Sequence, residues 1–169
     1  QKTAYEISLG LVGSEMCIRD RLSTILAMLS FSLYAGEVDD VKAAIHSNWE
    51  TIAKGKYPGL THPEGRWLAT SEGGFWSFDS PQNNKNRIEN SPNTLNFKPY
   101  HINVEIYGSK KEIAYAVYYL AGTIDRDGNV IVPNYRTRAS ALMKKENGKW
   151  YEVGSHYSPM HSGSGVKFD

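Results

Sequence analysis

A single cysteine in 169 residues excludes a disulfide framework. Charge of either sign is scarcely in excess, with 19 Lys+Arg against 18 Asp+Glu and a formal net charge of +1. Such a balance gives no long-range field to hold a phosphate backbone or an anionic lipid surface, so nucleic-acid binding is not expected. No uncharged apolar run reaches the roughly 20 residues that a membrane-spanning helix needs. There is no glycine-rich phosphate loop, no Ser-His-Asp signature and no cysteine nucleophile. His156 and His161 lie five apart around Pro159, and His46, His62 and His101 are scattered, with no carboxylate or cysteine joining them at ligand spacing. The sequence therefore predicts no metal and no cofactor.

What is present begins with two segments unlike a domain. Residues Tyr5 to Arg21, YEISLGLVGSEMCIRDR, look like translated sequencing-adapter read-through, so residues 1–21 are expected to belong to no fold. Cys17 falls inside them. Arg21 then precedes the uncharged stretch Leu22 to Ala35, LSTILAMLSFSLYA, which has the length of a signal-peptide h-region and ends on the small residues Ala35 and Gly36. Leu33 fits the position three before that cleavage point poorly. The expectation is a periplasmic or secreted protein whose domain runs from Gly36 to Asp169, without a membrane span.

Within that domain, Val38, Val41, Ile45, Trp49 and Ile52 recur at steps of three and four, one stripe of an amphipathic helix over 38–54. Glu37, Asp39 and Asp40 favour its start, and Gly55 and Pro58 stop it. Tyr57 to Pro99 mixes Gly, Pro, Asn and Ser with embedded aromatics and reads as a packed connection holding a short helix or two. Its most polar part, Ser80 to Asn93, reads as an exposed loop. From Tyr100 the period becomes two. Ile102, Val104 and Ile106 alternate with polar residues as in a half-buried strand. Glu112 to Ile124 is apolar on both faces, as expected of a central strand covered on each side. Asp127-Gly128 and Asn147-Gly148 are hairpin turns, with strands Val130 to Lys145 and Lys149 to Ser158 around them. A helical first half and an antiparallel meander of at least four strands define an α+β fold.

The polar-Gly-basic-Trp hairpin Asn147-Gly148-Lys149-Trp150, followed by His156-Tyr157-Ser158 at a strand end, resembles the SnoaL-like members of the nuclear transport factor 2-like superfamily. His62-Pro63-Glu64 before Trp76 resembles another of their elements, and the likeness extends over residues 36–161. The last seventy residues are also similar to the association domain of calcium/calmodulin-dependent protein kinase. The resemblance implies a cone of the cystatin-like type: N-terminal helices on the concave face of a curved antiparallel sheet, a small-molecule pocket between them, and homodimerisation through the outer face. It leaves activity open, because members include cyclases, isomerases, dehydratases and proteins without known catalysis.

Counting pairs outward from the two hairpins places Arg138 opposite Tyr157, Ala139 opposite His156 and Arg136 opposite Tyr119. One face then gathers Tyr115, Tyr119, Arg136, Arg138, Ser140 and Tyr157, suited to a carboxylate or planar polar ligand. The other gathers Ala114, Ala116, Ala139, Ala141, Gly154 and His156, leaving space round one possible general base. Either face could hold the pocket, and one bulge would exchange them. The candidate pocket residues are Trp67, Trp76, Tyr115, Tyr119, Arg138, His156 and Tyr157, with His156 the catalytic candidate. Glu105 and Glu152 read as solvent-facing. Aligned on the kinase association domain, whose pocket is rich in arginine, the chain has Tyr119 and Tyr157 at two of those places. Three functions stay open: a binder of a small, partly apolar molecule; an isomerase, dehydratase or cyclase using His156; and a homodimeric association module.

Overall fold

The computed structural model describes residues 36–160. The expectations for residues 1–35, Cys17 among them, and for His161 fall outside the described residues. Helix α1 spans 36–52 and buries Val41, Ile45 and Trp49 of the expected stripe. It ends on Gly55, whose φ of 67° lets Lys56 N–H donate to the Thr51 carbonyl at 3.2 Å, a left-handed helix stop.

The connection that follows is more structured than its composition suggests. Leu60 to His62 runs beside the last strand, Glu152 N–H donating to Leu60 O and His62 N–H to Glu152 O. Strands β1 (Arg66–Ala69) and β2 (Ser77–Asp79) form a short hairpin. Helix α2 (Pro81–Glu89) stands where an exposed loop was expected. Ser80 caps it, its hydroxyl accepting from Asn83 N–H at 3.1 Å, and Pro81 opens the first turn. The helix has almost no apolar stripe, so periodicity is silent there and only the Ser-Pro start marks it.

Strands β3 (Asn93–Tyr107), β4 (Ile113–Arg126), β5 (Asn129–Glu146) and β6 (Lys149–Pro159) are the expected meander. β3 begins at Asn93, not Tyr100, because Pro99 sits in an edge strand, where a missing ladder donor is tolerated. The sheet order is β2-β1-β6-β5-β4-β3, antiparallel throughout except that β1 pairs with β6 in parallel. The antiparallel sheet of the sequence reading is therefore mixed. Both turns are as expected: Asp127 and Gly128 have φ of 50° and 76°, Asn147 and Gly148 have 49° and 77°, the two left-handed residues of a type I′ turn.

The core lies between α1 and the inner face of the sheet, where Ala114, Ala116, Tyr118 and Leu120 of β4 meet Ala139, Ala141 and Met143 of β5 and Trp150 of β6. The alanines let the helix approach closely. On the other face of β4, Tyr115, Val117 and Tyr119 keep 43%, 39% and 45% of their surface exposed. The expectation that this strand is covered on both sides is thus corrected within the single chain. Gly122 marks the bend: a Cβ there would lie 2.0 Å from Asn96 O on β3, where the β4–β5 register also shifts.

Candidate ligand pocket

Between the two helices and the inner sheet face lies a cavity of about 170 Å³. For scale, an apolar cavity of about 150 Å³ accepts benzene. Its apolar wall is an aromatic chain. The Trp49 ring is 5.7 Å from Phe97 and 5.9 Å, edge on, from Tyr157, and Phe97 stacks on Tyr135 at 4.2 Å. Leu68, Leu95, Ile88 and Ile124 complete it. At the mouth, Ser71 and Tyr135 hydroxyls are hydrogen-bonded at 2.5 Å.

The polar end is charged but balanced. Arg66 pairs with Glu152 and, at 3.3 Å, with Asp79. Arg87 donates to Asp79 at 2.8 Å and to Asn84 Oδ1 at 2.8 Å, and Asn84 Nδ2 donates to Thr61 Oγ1 at 2.7 Å. Two guanidiniums thus face two carboxylates. Burial alone would lower the Arg66 pKa, but the carboxylates of Glu152 and Asp79 outweigh it and hold the charge firmly on. Glu152 is only 2% exposed, which corrects its reading as solvent-facing; the partner that makes this tolerable is Arg66.

Beside this network stand two phenols. Tyr118 accepts from Trp49 Nε1 at 3.4 Å, and Tyr157 is its neighbour across Ala139 of the intervening strand. Burial, then the negative charge of Glu152, pushes the Tyr118 pKa up to about 12. Burial, then Tyr118 and Glu152, raises Tyr157 well above its ordinary value. Both stay neutral across physiological pH, and Tyr157 lines the cavity.

Of the seven expected pocket residues, Tyr157 alone lines this cavity. The pairing counted from the hairpins is off because Leu142 pairs with Gly154 while Met143 pairs with Glu152, leaving Val153 as a bulge. Beyond it Ala139 faces Tyr157, Ser140 faces His156 and Arg138 faces Ser158. Two further residues on β5 near the Asp127-Gly128 turn put Arg138, not Arg136, opposite Tyr119. His156, Arg138 and Tyr119 therefore come together in a cleft on the outer face, and Tyr115 is exposed on that side. Trp67 is exposed against Phe78, and Trp76 lies 5.8 Å from His156. His156 is thus no wall of the inner cavity. The sequence reading missed Arg66, Asp79, Asn84 and Arg87. Arg66 and Leu68 alternating with Trp67 was the available signal, obscured because the larger hydrophobe of Arg66-Trp67 points outward. His62 of the His-Pro-Glu element is buried below the β5–β6 hairpin, its Nδ1 accepting from Glu64 N–H and its Nε2 3.3 Å from Glu146, and does not line the cavity.

No family model matches the sequence, and no curated protein matches it. Solved structures do match its fold. A nuclear transport factor 2-like superfamily protein from Salmonella enterica superposes with a TM-score of 0.61 at 21% identity, over 80% of this chain and 99% of that one. A ketosteroid isomerase-like protein from Erwinia carotovora atroseptica gives 0.59 at 14%, over 74% and 97%. The CaMKII hub of S. rosetta gives 0.58 at 17%, over 72% and 95%. The domain thus has the nuclear transport factor 2-like α+β fold. Identities this low speak for fold and leave activity to the site.

Proposed function

We propose that this domain binds a small, uncharged, largely apolar molecule in the inner cavity. The observation that carries the reading is an aromatic-walled space whose buried charges already neutralise one another. An anionic ligand would find Arg66 and Arg87 engaged by Glu152 and Asp79, and a cationic one would meet the same balance from the other side. Neutral Tyr157 and Asn48 offer hydrogen bonds to a single polar group. The SnoaL-like affinity suggested by the Asn147–Trp150 hairpin agrees with such a binder. Among the described residues lining the cavity the only carboxylate is Glu72, exposed at its mouth, so an acid–base mechanism lacks a buried, unpaired base. Thermal shift with matched neutral and anionic aromatic compounds, phenol against benzoate for example, tests the reading. Stabilisation by the neutral series alone supports it; a uniform preference for the anions overturns it.

Homodimerisation through the outer sheet face is a second reading, favoured by exposed Tyr107, Tyr115 and Leu142 on adjacent strands. Light scattering decides it, a monomer at all concentrations counting against it. Export rests on residues 22–35; mass spectrometry of the natural product should find a start near Ala35 or Gly36, and an intact leader would overturn it.

A further inference from the structure

The outer face carries a second cluster that the inner cavity does not use. Strand register sets two adjacent cross-strand rows there: Val117, Ser140 and His156 in one, Tyr119, Arg138 and Ser158 in the other. A bulge in β3 between Tyr100 and Asn103 adds His101, held at a left-handed φ of 52° with its ring edge on to Tyr119 at 6.1 Å. A histidine in that conformation costs backbone energy and is re-aimed by the bulge. Together these residues line an open cleft of about 530 Å³.

The lining is one-sided in chemistry. Its lining residues include one arginine, two histidines, two serines, two tyrosines and Asn103, and no carboxylate. Arg138 has no ion-pair partner among the described residues, in contrast to Arg66 and Arg87. The nearest acidic residue on that face of β3 is Glu105, opposite Tyr115. Tyr115 stands four residues along β4 from Tyr119, roughly 13 Å at strand spacing. We propose that this cleft is an oxyanion site, binding a phosphate or carboxylate group through Arg138 and His156 with Ser140, Ser158 and His101 around it. The planar fork of Arg138 suits either group, and the hydroxyls supply the remaining donors.

The test is a titration of the full chain with inorganic phosphate, and in a second arm with acetate, at fixed ionic strength, following the imidazole NMR signals of His101 and His156. Saturable shifts of both rings, weakened at least about tenfold in Arg138→Met and retained in Arg136→Met, are expected. Arg136 is exposed one inter-residue repeat away on the same strand, so its variant controls for diffuse surface charge. Saturation by phosphate alone assigns a phosphoryl-bearing ligand; saturation by acetate alone assigns a carboxylate. Absence of saturation with either anion overturns the site, as does equal weakening in both variants.

Discussion

His156 and Tyr157, neighbours in β6, lie on opposite sides of the sheet, and the bulge at Val153 determines which of them meets the inner cavity. Were every residue kept and the ladder regular, the hairpin register would turn His156 inward beside Ala139 and send Tyr157 out. Deleting Val153 removes the bulge and leaves Gly154, His156 and Tyr157 opposite Leu142, Ser140 and Ala139, so the native facing is kept. The deletion variant is therefore expected to fold with Tyr157 still inward, at a cost of about 1–3 kcal/mol, and Val153→Ala, which keeps the bulge and trims a partly buried side chain, should cost about 1 kcal/mol. Urea denaturation measures both costs and the histidine NMR signals report the facing of His156; a deletion variant that fails to fold would show that the bulge does more than set the register.

The same residue shows where sequence reasoning stops. Helix α1, both type I′ turns and the meander were legible because each has a local cause: a stripe at Val41, Ile45 and Trp49, a left-handed Asp-Gly or Asn-Gly pair, an alternation at Val104 and Ile106. Helix α2 is nearly all polar, and β1 with β2 totals too few residues to show a period. The facing of His156 depended on one non-local register shift that no local pattern encodes. The pocket suffered most, since its polar end joins β1, α2 and β6, segments whose meeting follows from a parallel pairing of distant strands.

Arg66 and Glu152 form the buried pair at that junction. Removing one partner leaves the other charge in a dry site, so Arg66→Met or Glu152→Gln should each cost about 3–5 kcal/mol. The double substitution Arg66→Met with Glu152→Leu should cost much less than the sum of the two single changes, limited by the loss of a partner for Asp79. A double-mutant cycle by chemical denaturation reads this out; additive losses would mean that the two side chains act independently.

Tyr118 predicts the alkaline limit of the domain. Its folded pKa of about 12 lies above the value near 10 of an unfolded tyrosine. Raised in this direction, the group contributes stability that is intact below pH 10 and declines as pH climbs toward 12, about 3 kcal/mol in all. Tyr157, shifted the same way, adds to the loss. Ultraviolet difference absorbance should show the phenols of Tyr118 and Tyr157 ionising only as the protein unfolds. Tyr118→Phe should flatten the pH dependence of stability in this window, and an unchanged slope would remove Tyr118 as its source.

Ile88, on the α2 wall, separates a cavity that binds from one that merely exists. Its side chain is only partly buried, so Ile88→Trp can extend into the space beside Leu95 and Phe97 instead of displacing the core. Overpacking of this kind costs about 1–3 kcal/mol where neighbours must move, and less where the added ring occupies empty volume. The variant should therefore fold with a modest change in Tm while losing most of the thermal shift that neutral aromatic compounds give the parent. Phosphate-dependent shifts of His101 and His156, on the other side of the sheet, should persist in it. A variant that folds and still responds to the neutral compounds would place their binding outside the inner cavity.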